Sequence, residues 1–183
     1  SANVGYGGET RSGDGLLVSG SYFPVLGIQP ALGRLLGPAD DRTVGESAVV
    51  VLGHAYWRTR FNASETVVNQ TLVVNGRPMT VVGVGPAGFD GTTLGSPADV
   101  FVPITMRGFM QPGFKDFDNR RAYWAYLFAR LDTGVTIDQA RSSIGALYTS
   151  IIAGVEAPLQ SGMSPQTLER FKTKEIEIKD GSR

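Results

Sequence analysis

The chain has 183 residues with a formal net charge of zero, an apolar content of 42% and a charged content of 19%. This balance is too apolar for a disordered chain and lacks the basic surface with which proteins bind nucleic acid. Because there is no cysteine and only one histidine, disulfides, thiolate or multi-histidine metal sites and a cysteine nucleophile are excluded.

The first third of the chain predicts a hairpin, a short helix and a loop. A Gly-Gly pair follows the predicted strand 2–6 and leads into a second extended run that ends in the apolar residues 16–18. Residues 21–26 have a serine at their start and a glycine after their end, which predicts a helix of one or two turns. Residues 29–43 contain two prolines and two glycines and are expected to form an irregular loop.

The middle of the chain is rich in predicted strands. Residues 48–52 form a continuous apolar run, as expected of a strand that is buried on both faces. Residues 54–61 follow as a predicted short helix. An Asn-Gly pair separates the apolar runs 71–74 and 79–84 and predicts a tight hairpin. Residues 99–104 predict one more strand.

The last third predicts a strand, a long helix and a closing strand. Residues 126–131 alternate in polarity, and so do residues 174–179. Between them a helix is predicted from Thr136, which pairs with Gln139 in a capping box, to Pro158. Its apolar residues recur every three or four positions and share one face: Ile137, Ala140, Ile144, Leu147, Ile151 and Val155.

These elements together predict an α+β fold in two subdomains. The two ends of the chain, residues 1–44 and 106–183, are expected to form an α/β subdomain. Residues 45–105 are expected to form a β-rich subdomain inserted between them.

One glycine-rich motif matches a nucleotide-binding pattern without its context. Residues 83–88 read G-x-G-x-x-G after a predicted strand. A dinucleotide site needs a helix that opens at these glycines, and residues 89–97 favour a loop instead. We therefore interpret the motif as a turn that leaves a hairpin, and no cofactor is predicted.

Single polar residues offer only weak candidates for chemistry. His54 is the one possible imidazole base, but no nucleophile motif accompanies it, so packing is favoured and a hydrolase using His54 is kept as an alternative. Asp40 and Asp41 are adjacent and Asp99 is distant, a spacing that does not match a calcium loop. No catalytic, cofactor-binding or metal-binding residue is therefore assigned.

Residues 106–124 are rich in aromatic side chains but have neither a helical nor a strand period. The favoured interpretation is a connector whose rings pack beneath the subdomains. The alternative is an exposed loop that contacts a partner, because exposed aromatic residues often mark contact sites. The candidates for such a contact are Phe109, Met110, Phe114 and Phe117.

An ordered series of short motifs covers nearly the whole chain. It contains LVSGSYFPVLG at 17–27, QPALGR at 29–34, VVVL at 49–52, YWR at 56–58, VNGRP at 74–78, VVGV at 81–84, DVFVP at 99–103, ARL at 129–131 and GVT at 134–136. This series resembles the periplasmic core domain of MacB/FtsX-type ABC transporter permeases, and it is closest to the duplicated orphan permeases of acidobacteria.

The resemblance implies a fold and a place in the cell. It implies a porter-like subdomain built from both chain ends and an inserted, β-rich, Sabre-like subdomain, outside the inner membrane between two membrane helices of the parent permease. The family domain begins with a further strand and helix, so this chain is expected to lack the first part of the porter-like subdomain.

The resemblance also implies a non-enzymatic role, in which ATP hydrolysis in the cytoplasm is coupled to a change of shape in the periplasm. The implied partners are a cytoplasmic ABC ATPase, a second permease copy, and a periplasmic adaptor or outer-membrane protein. A small-solute binding or sensor domain is the other alternative, and it requires a concave apolar pocket.

Overall fold

One mixed β-sheet organises the first part of the molecule. The computed structural model describes residues 1–93, 95–120 and 122–181, and it divides the chain into two units, Ser1–Leu127 and Phe128–Arg183. The described strands of the first unit are β1 (Ala2–Tyr6), β2 (Glu9–Gly13), β3 (Gly15–Val18), β4 (Leu32–Gly33), β5 (Val49–Leu52), β6 (Thr71–Val74), β7 (Arg77–Val84) and β8 (Val100–Pro103).

The sheet order is β2-β1-β6-β7-β5-β8-β3, with β4 paired to β7. Strand β5 runs parallel to β7, and β3 runs parallel to β8. The other pairings are antiparallel. The described helices are α1 (Tyr22–Leu26), α2 (His54–Phe61), α3 (Arg107–Met110), α4 (Ile137–Ile151) and α5 (Pro165–Lys172). The α+β fold class is therefore confirmed.

Both predicted hairpins are present, and their turns explain why. Gly7 and Gly8 connect β1 to β2 with φ values of 60° and 84°. Asn75 and Gly76 connect β6 to β7 with φ values of 48° and 81°. Positive φ at both central residues gives the turn twist that matches two antiparallel strands, and glycine and asparagine adopt it at the lowest cost.

The sheet is covered on both faces, which accounts for the apolar run of β5. Val50 and Leu52 are fully buried in the larger core, which includes Phe61 of α2. Val51 points to the other face, where it packs in a cluster with Phe23 of α1. Because successive strand residues face opposite sides, only a strand with two buried faces can be apolar at every position.

The two strands predicted at the ends of the last third do not form. Residues 126–131 have no strand structure, and Tyr126 and Leu127 are 93% and 90% exposed. Residues 174–179 are also irregular. Alternation in polarity shows only that a segment could lie with one face buried, whereas a strand also needs a neighbour to pair with. The sheet described here does not include either segment.

The long helix of the second unit begins where the sequence predicts. The Thr136 hydroxyl accepts a hydrogen bond from the Gln139 amide at 3.2 Å, and the Gln139 side chain accepts one from the Thr136 amide at 2.8 Å. This capping box satisfies two amides that the first helical turn leaves without partners. After α4 the chain continues as a π-helical turn over Ile152–Glu156 and a 3₁₀ turn over Ala157–Leu159.

The two units, Ser1–Leu127 and Phe128–Arg183, do not coincide with the predicted subdomains. Strands β1–β4 come from residues 1–44 and strands β5–β8 from residues 45–105, yet all of them belong to one sheet. Pairing between strands distant in sequence, such as β3 with β8, joins the two sections. The assignment of 1–44 with 106–183 to a porter-like part and of 45–105 to a Sabre-like part stays a prediction.

Candidate functional site

The glycine-rich motif is part of the sheet. Gly83 lies in β7 opposite Gly33 of β4. A side chain on Gly83 would overlap the carbonyl oxygen of Arg34 and would approach that of Leu32 to 2.6 Å. No helix occurs among the described residues from 85 to 99, so the described backbone provides no helix N-terminus for a pyrophosphate. The first glycine of the motif therefore lies within β7, where it allows two backbones to approach each other, and the predicted turn follows at residues 87–88. Leu94, within the predicted loop, lies outside the described residues.

The acidic pair forms structural contacts. Asp40 is 7% exposed and accepts two hydrogen bonds from the Arg34 guanidinium, at 2.7 and 2.8 Å, and one from the Gly37 amide at 2.9 Å. Burial by itself raises the pKa of Asp40, but the hydrogen bonds from Arg34 and Gly37 and the charge of Arg34 outweigh it, so the net pKa is lowered. Asp40 therefore stays ionised and closes the turn at Pro38–Asp41.

The other acidic candidates also bind backbone amides. Asp41 accepts a hydrogen bond from the Gly20 amide at 3.0 Å, and Asp99 accepts one from the Asp14 amide at 2.9 Å. Within residues 1–93, 95–120 and 122–181, no group of three or more histidine, aspartate or glutamate residues is arranged to hold a metal ion. These carboxylates therefore stabilise turns in the described structure.

His54 is the first residue of α2 and packs against Trp57. Their ring centroids are 5.5 Å apart in an edge-to-face arrangement. Among the hydrogen bonds of the described residues, none joins the His54 ring to a hydroxyl or carboxylate. A catalytic histidine acts through such a pair. The geometry therefore agrees with the packing role that the sequence favours.

A buried arginine ties the first hairpin to α2, and sequence reasoning missed it. The Arg60 side chain is 9% exposed, and its guanidinium donates to the Glu9 carboxylate at 2.8 Å and to the Glu9 carbonyl at 3.3 Å. The hydrogen bond and charge of Arg60, with a smaller contribution from Arg11, lower the pKa of Glu9. Because 51 residues separate Arg60 from Glu9, no local pattern could have indicated this contact.

The aromatic segment 106–124 contains a ring cluster formed by Phe114, Phe117 and Trp124. The three ring centroids are 5.0, 5.3 and 5.4 Å apart, and every pair is close to edge-to-face. The Arg107 guanidinium lies over the Phe114 ring at 4.3 Å and over the Trp124 ring at 5.0 Å. It also donates a hydrogen bond to the Trp124 carbonyl at 3.0 Å. Phe114 and Phe117 are therefore half-buried against their own segment.

Phe109 and Met110 are adjacent but have opposite environments. Met110 is 9% exposed and belongs to the larger core, so it contributes to stability in this structure. Phe109 is 44% exposed, with the Arg77 guanidinium 3.9 Å from the ring centroid. Arg77 also donates to the Gly45 carbonyl at 3.2 Å. Of the four residues predicted to contact a partner, Phe109 presents the most accessible ring.

A small cavity lies beside the start of the chain, near β3 and α3. Its volume is about 60 Å³, and Leu16, Leu17, Val102 and Met110 contribute to its lining. Pockets that enclose organic ligands have volumes of roughly 300–1,000 Å³. This cavity can hold one or two water molecules and does not support a small-solute site.

The sheet architecture resembles extracytoplasmic regions of transporters. The periplasmic region of MacB from Actinobacillus actinomycetemcomitans aligns with a TM-score of 0.56 at 21% identity, over 82% of this chain and 63% of that one. A domain described as part of a permease from Porphyromonas gingivalis aligns with a TM-score of 0.50 at 15% identity, over 81% of this chain and 63% of that one. The extracellular domain of the ABC-type transporter YknZ from Gram-positive bacteria gives a TM-score of 0.47 at 16% identity, over 58% and 51%.

The sequence profile of the MacB-like periplasmic core domain matches residues 1–147. The chain therefore belongs to the MacB-like periplasmic core domain family, which occurs in ABC transporter permeases, and the expected resemblance is confirmed. No curated protein matches the chain. The chain spans 63% of the length of the MacB periplasmic region. Among the described residues, no helix is both long and apolar enough to span a membrane.

Proposed function

We propose that this chain is the extracytoplasmic part of a MacB/FtsX-like ABC permease and that it couples ATP hydrolysis in the cytoplasm to a conformational change outside the membrane. The observation that carries the proposal is the family profile match over residues 1–147, supported by the sheet shared with the MacB periplasmic region. The relatives are periplasmic or extracellular regions of transporters and are not enzymes, so the proposed role is mechanical.

The proposed partners follow from the same family. A cytoplasmic ABC ATPase drives the parent permease, a second permease copy associates with it, and a periplasmic adaptor or outer-membrane protein receives the movement. Phe109 supports a protein contact, because its ring is 44% exposed and the Arg77 guanidinium and Gly45 hold it in position. A ring that is already held loses little conformational freedom when a partner covers it.

The location of the domain can be tested by labelling in cells. This chain has no cysteine, so in a parent permease whose other cysteines are replaced, Thr10→Cys introduces a single exposed thiol on β2. A membrane-impermeant maleimide should label this residue in cells whose inner membrane is intact. Val51→Cys is the matched control, because Val51 is fully buried and its thiol should react only after unfolding. Labelling of Thr10→Cys only after lysis of the inner membrane would contradict the proposed location.

A further inference from the structure

The segment from Arg107 to Trp124 forms a loop whose two ends are joined by one side chain. Arg107 begins α3, and its guanidinium donates to the Trp124 carbonyl at 3.0 Å. The same guanidinium lies over the rings of Phe114 and Trp124. Compact loops with adjoining ends and their own packed interior often have functional roles.

Beyond α3, the loop has an interior of its own and lies outside the sheet ladder. Its interior is the ring cluster of Phe114, Phe117 and Trp124. It contains local turns, in which the amides of Phe114, Asn119 and Ala122 each donate to a carbonyl three residues earlier. Local bonds of this kind do not depend on the sheet, so the loop can open while the sheet stays folded.

The end of the loop at Arg107 is fixed to the first unit. Met106, the preceding residue, is fully buried in the larger core. The Asn75 side chain, in the β6–β7 turn, donates to the Met110 carbonyl at 3.0 Å, and Arg77 covers the Phe109 ring. Arg107 therefore projects from a short helix that the hairpin turn holds in place.

The other end of the loop leads along the chain to the second unit, which begins at Phe128. While the Arg107 contact is closed, the Trp124 carbonyl is within one hydrogen bond of the guanidinium. With the contact open and α3 still anchored, the chain from Met110 to Trp124 can extend to about 50 Å, at roughly 3.5 Å per residue. The contact therefore determines whether the connection from α3 to the second unit is short or can lengthen.

We infer that Arg107 is a releasable latch. It attaches α3 to Trp124, on the segment that leads from the first unit to the second. When the latch is closed, a pull on the second unit reaches the sheet through Arg107 and α3. When it opens, the released loop absorbs the movement. The Arg107 Nε atom is buried and has no acceptor among the described residues. An unsatisfied buried donor destabilises the closed state, which makes release easier.

Hydrogen exchange of the 183-residue chain tests the latch. Arg107→Ala removes the hydrogen bond and both ring contacts, so the Asn119 and Ala122 amides should exchange about 10- to 100-fold faster. The Val81 amide of the sheet, which donates to the Gln70 carbonyl, should be unchanged. Arg107→Lys keeps the charge but loses the planar guanidinium, and it should give an intermediate acceleration.

Lys174→Ala is the matched control. It also removes a cation that lies over a ring, here the Phe171 ring at 4.9 Å, but both residues belong to the second unit and not to the loop. It should leave the exchange of the Asn119 and Ala122 amides unchanged. Equal acceleration by Lys174→Ala and Arg107→Ala would overturn the inference, as would unchanged loop exchange in Arg107→Ala.

A second variant covers the case in which Arg107→Ala does not fold. Phe114→Leu removes one ring of the cluster and keeps the arginine, and it should accelerate loop exchange about 3- to 10-fold without affecting the sheet. Loop and sheet amides that accelerate by the same factor would overturn the inference, because the two would then open as one unit.

The use of the latch in coupling depends on the proposed function, whereas the exchange experiment does not. In the parent permease, Arg107→Ala should abolish the nucleotide-dependent change in distance between the two units, and Lys174→Ala should preserve it. If this distance does not respond to nucleotide in the wild-type permease, the coupling role is refuted, and the exchange result is unaffected. A wild-type response that persists in Arg107→Ala refutes the use of the latch in coupling.

Discussion

Replacement of Gly83 by alanine tests whether the G-x-G-x-x-G run serves the sheet or a ligand. A methyl group on Gly83 overlaps the Arg34 carbonyl and comes within 2.6 Å of the Leu32 carbonyl. Both atoms belong to the backbone of the chain around β4, so no side-chain rotation can relieve the overlap. The strands have to separate, and the hydrogen bond from the Arg34 amide to the Val82 carbonyl, now 2.9 Å, has to lengthen.

Gly85 provides the matched control within the same motif. A methyl group there would lie 3.6 Å from the Leu52 carbonyl, which is ordinary van der Waals contact, and the backbone of Gly85 does not have positive φ. In Gly83→Ala, by contrast, only backbone shifts can relieve the overlap, and overpacking of this kind costs about 3 kcal/mol, the upper part of the usual range. Gly85→Ala should change the free energy of unfolding by about 1 kcal/mol or less, because alanine also restricts the unfolded chain.

Thermal unfolding followed by tryptophan fluorescence measures this difference. The two tryptophans of the chain, Trp57 and Trp124, both lie in the first unit, so the signal follows that unit. At about 2–4 °C per kcal/mol, Gly83→Ala should lower the melting temperature by about 6–12 °C. Gly85→Ala should shift it by no more than about 4 °C. Equal melting temperatures for the two variants would refute the packing argument for Gly83.

Three further predictions concern other parts of the chain. Asp40→Asn should cost about 1 kcal/mol at pH 7, measured by urea unfolding, since the Arg34 side chain of the pair is half exposed. The folded-state pKa of Asp40 is lowered, so the carboxylate stabilises the fold above the unfolded pKa of about 3.9. This contribution should be lost as the pH falls through the folded pKa. An unchanged difference in unfolding free energy between the wild type and Asp40→Asn at pH 3 would contradict the assignment. Thr136→Ala should destabilise α4 by about 1 kcal/mol, seen as faster exchange of the Gln139 amide, and unchanged exchange would contradict the capping role. Met110→Ala should lower the free energy of unfolding by about 2–3 kcal/mol, measured by chemical unfolding. Phe109→Ala should lower it by about 1 kcal/mol or less and should weaken transport by the parent permease. Normal transport by the Phe109→Ala variant would contradict the partner contact.

Local chemistry explains the elements that could be predicted from the sequence. The Gly-Gly and Asn-Gly turns, the apolar run of β5 and the capping box of α4 each depend on residues within a few positions of one another. Such short-range patterns determine backbone conformation directly. The family could also be recognised from ordered motifs, and the profile match over residues 1–147 confirms it.

Long-range pairing explains what could not be predicted. The sheet joins β3 to β8 and β1 to β6, pairs that are about 70 or more residues apart, and both pairings cross the subdomain boundary predicted at residue 45. Residues 126–131 and 174–179 have strand-like alternation, but the pattern does not supply a neighbouring strand.

The environments of the candidate contact residues could not be predicted either, because they also depend on long-range packing. Composition identified residues 106–124 as unusual, but it did not indicate that Arg107 closes this segment or that Met110 is buried. Arg107 precedes the aromatic run by only a few positions, so a cation beside clustered rings was the one available signal. Which ring it covers depends on tertiary packing, and Arg121 of this segment lies outside the described residues.

The distance between the two units in the working permease tests the central claim most directly. Nitroxide labels at Thr10→Cys and Ser143→Cys place one exposed probe in each unit of the cysteine-free chain. Thr10→Cys with Glu65→Cys places both probes in the first unit as the control. With the parent permease and its ATPase in lipid, the distance between the units should change between the nucleotide-free and ATP-trapped states, while the control distance stays constant. An unchanged distance between the units with an active ATPase would contradict the proposed coupling.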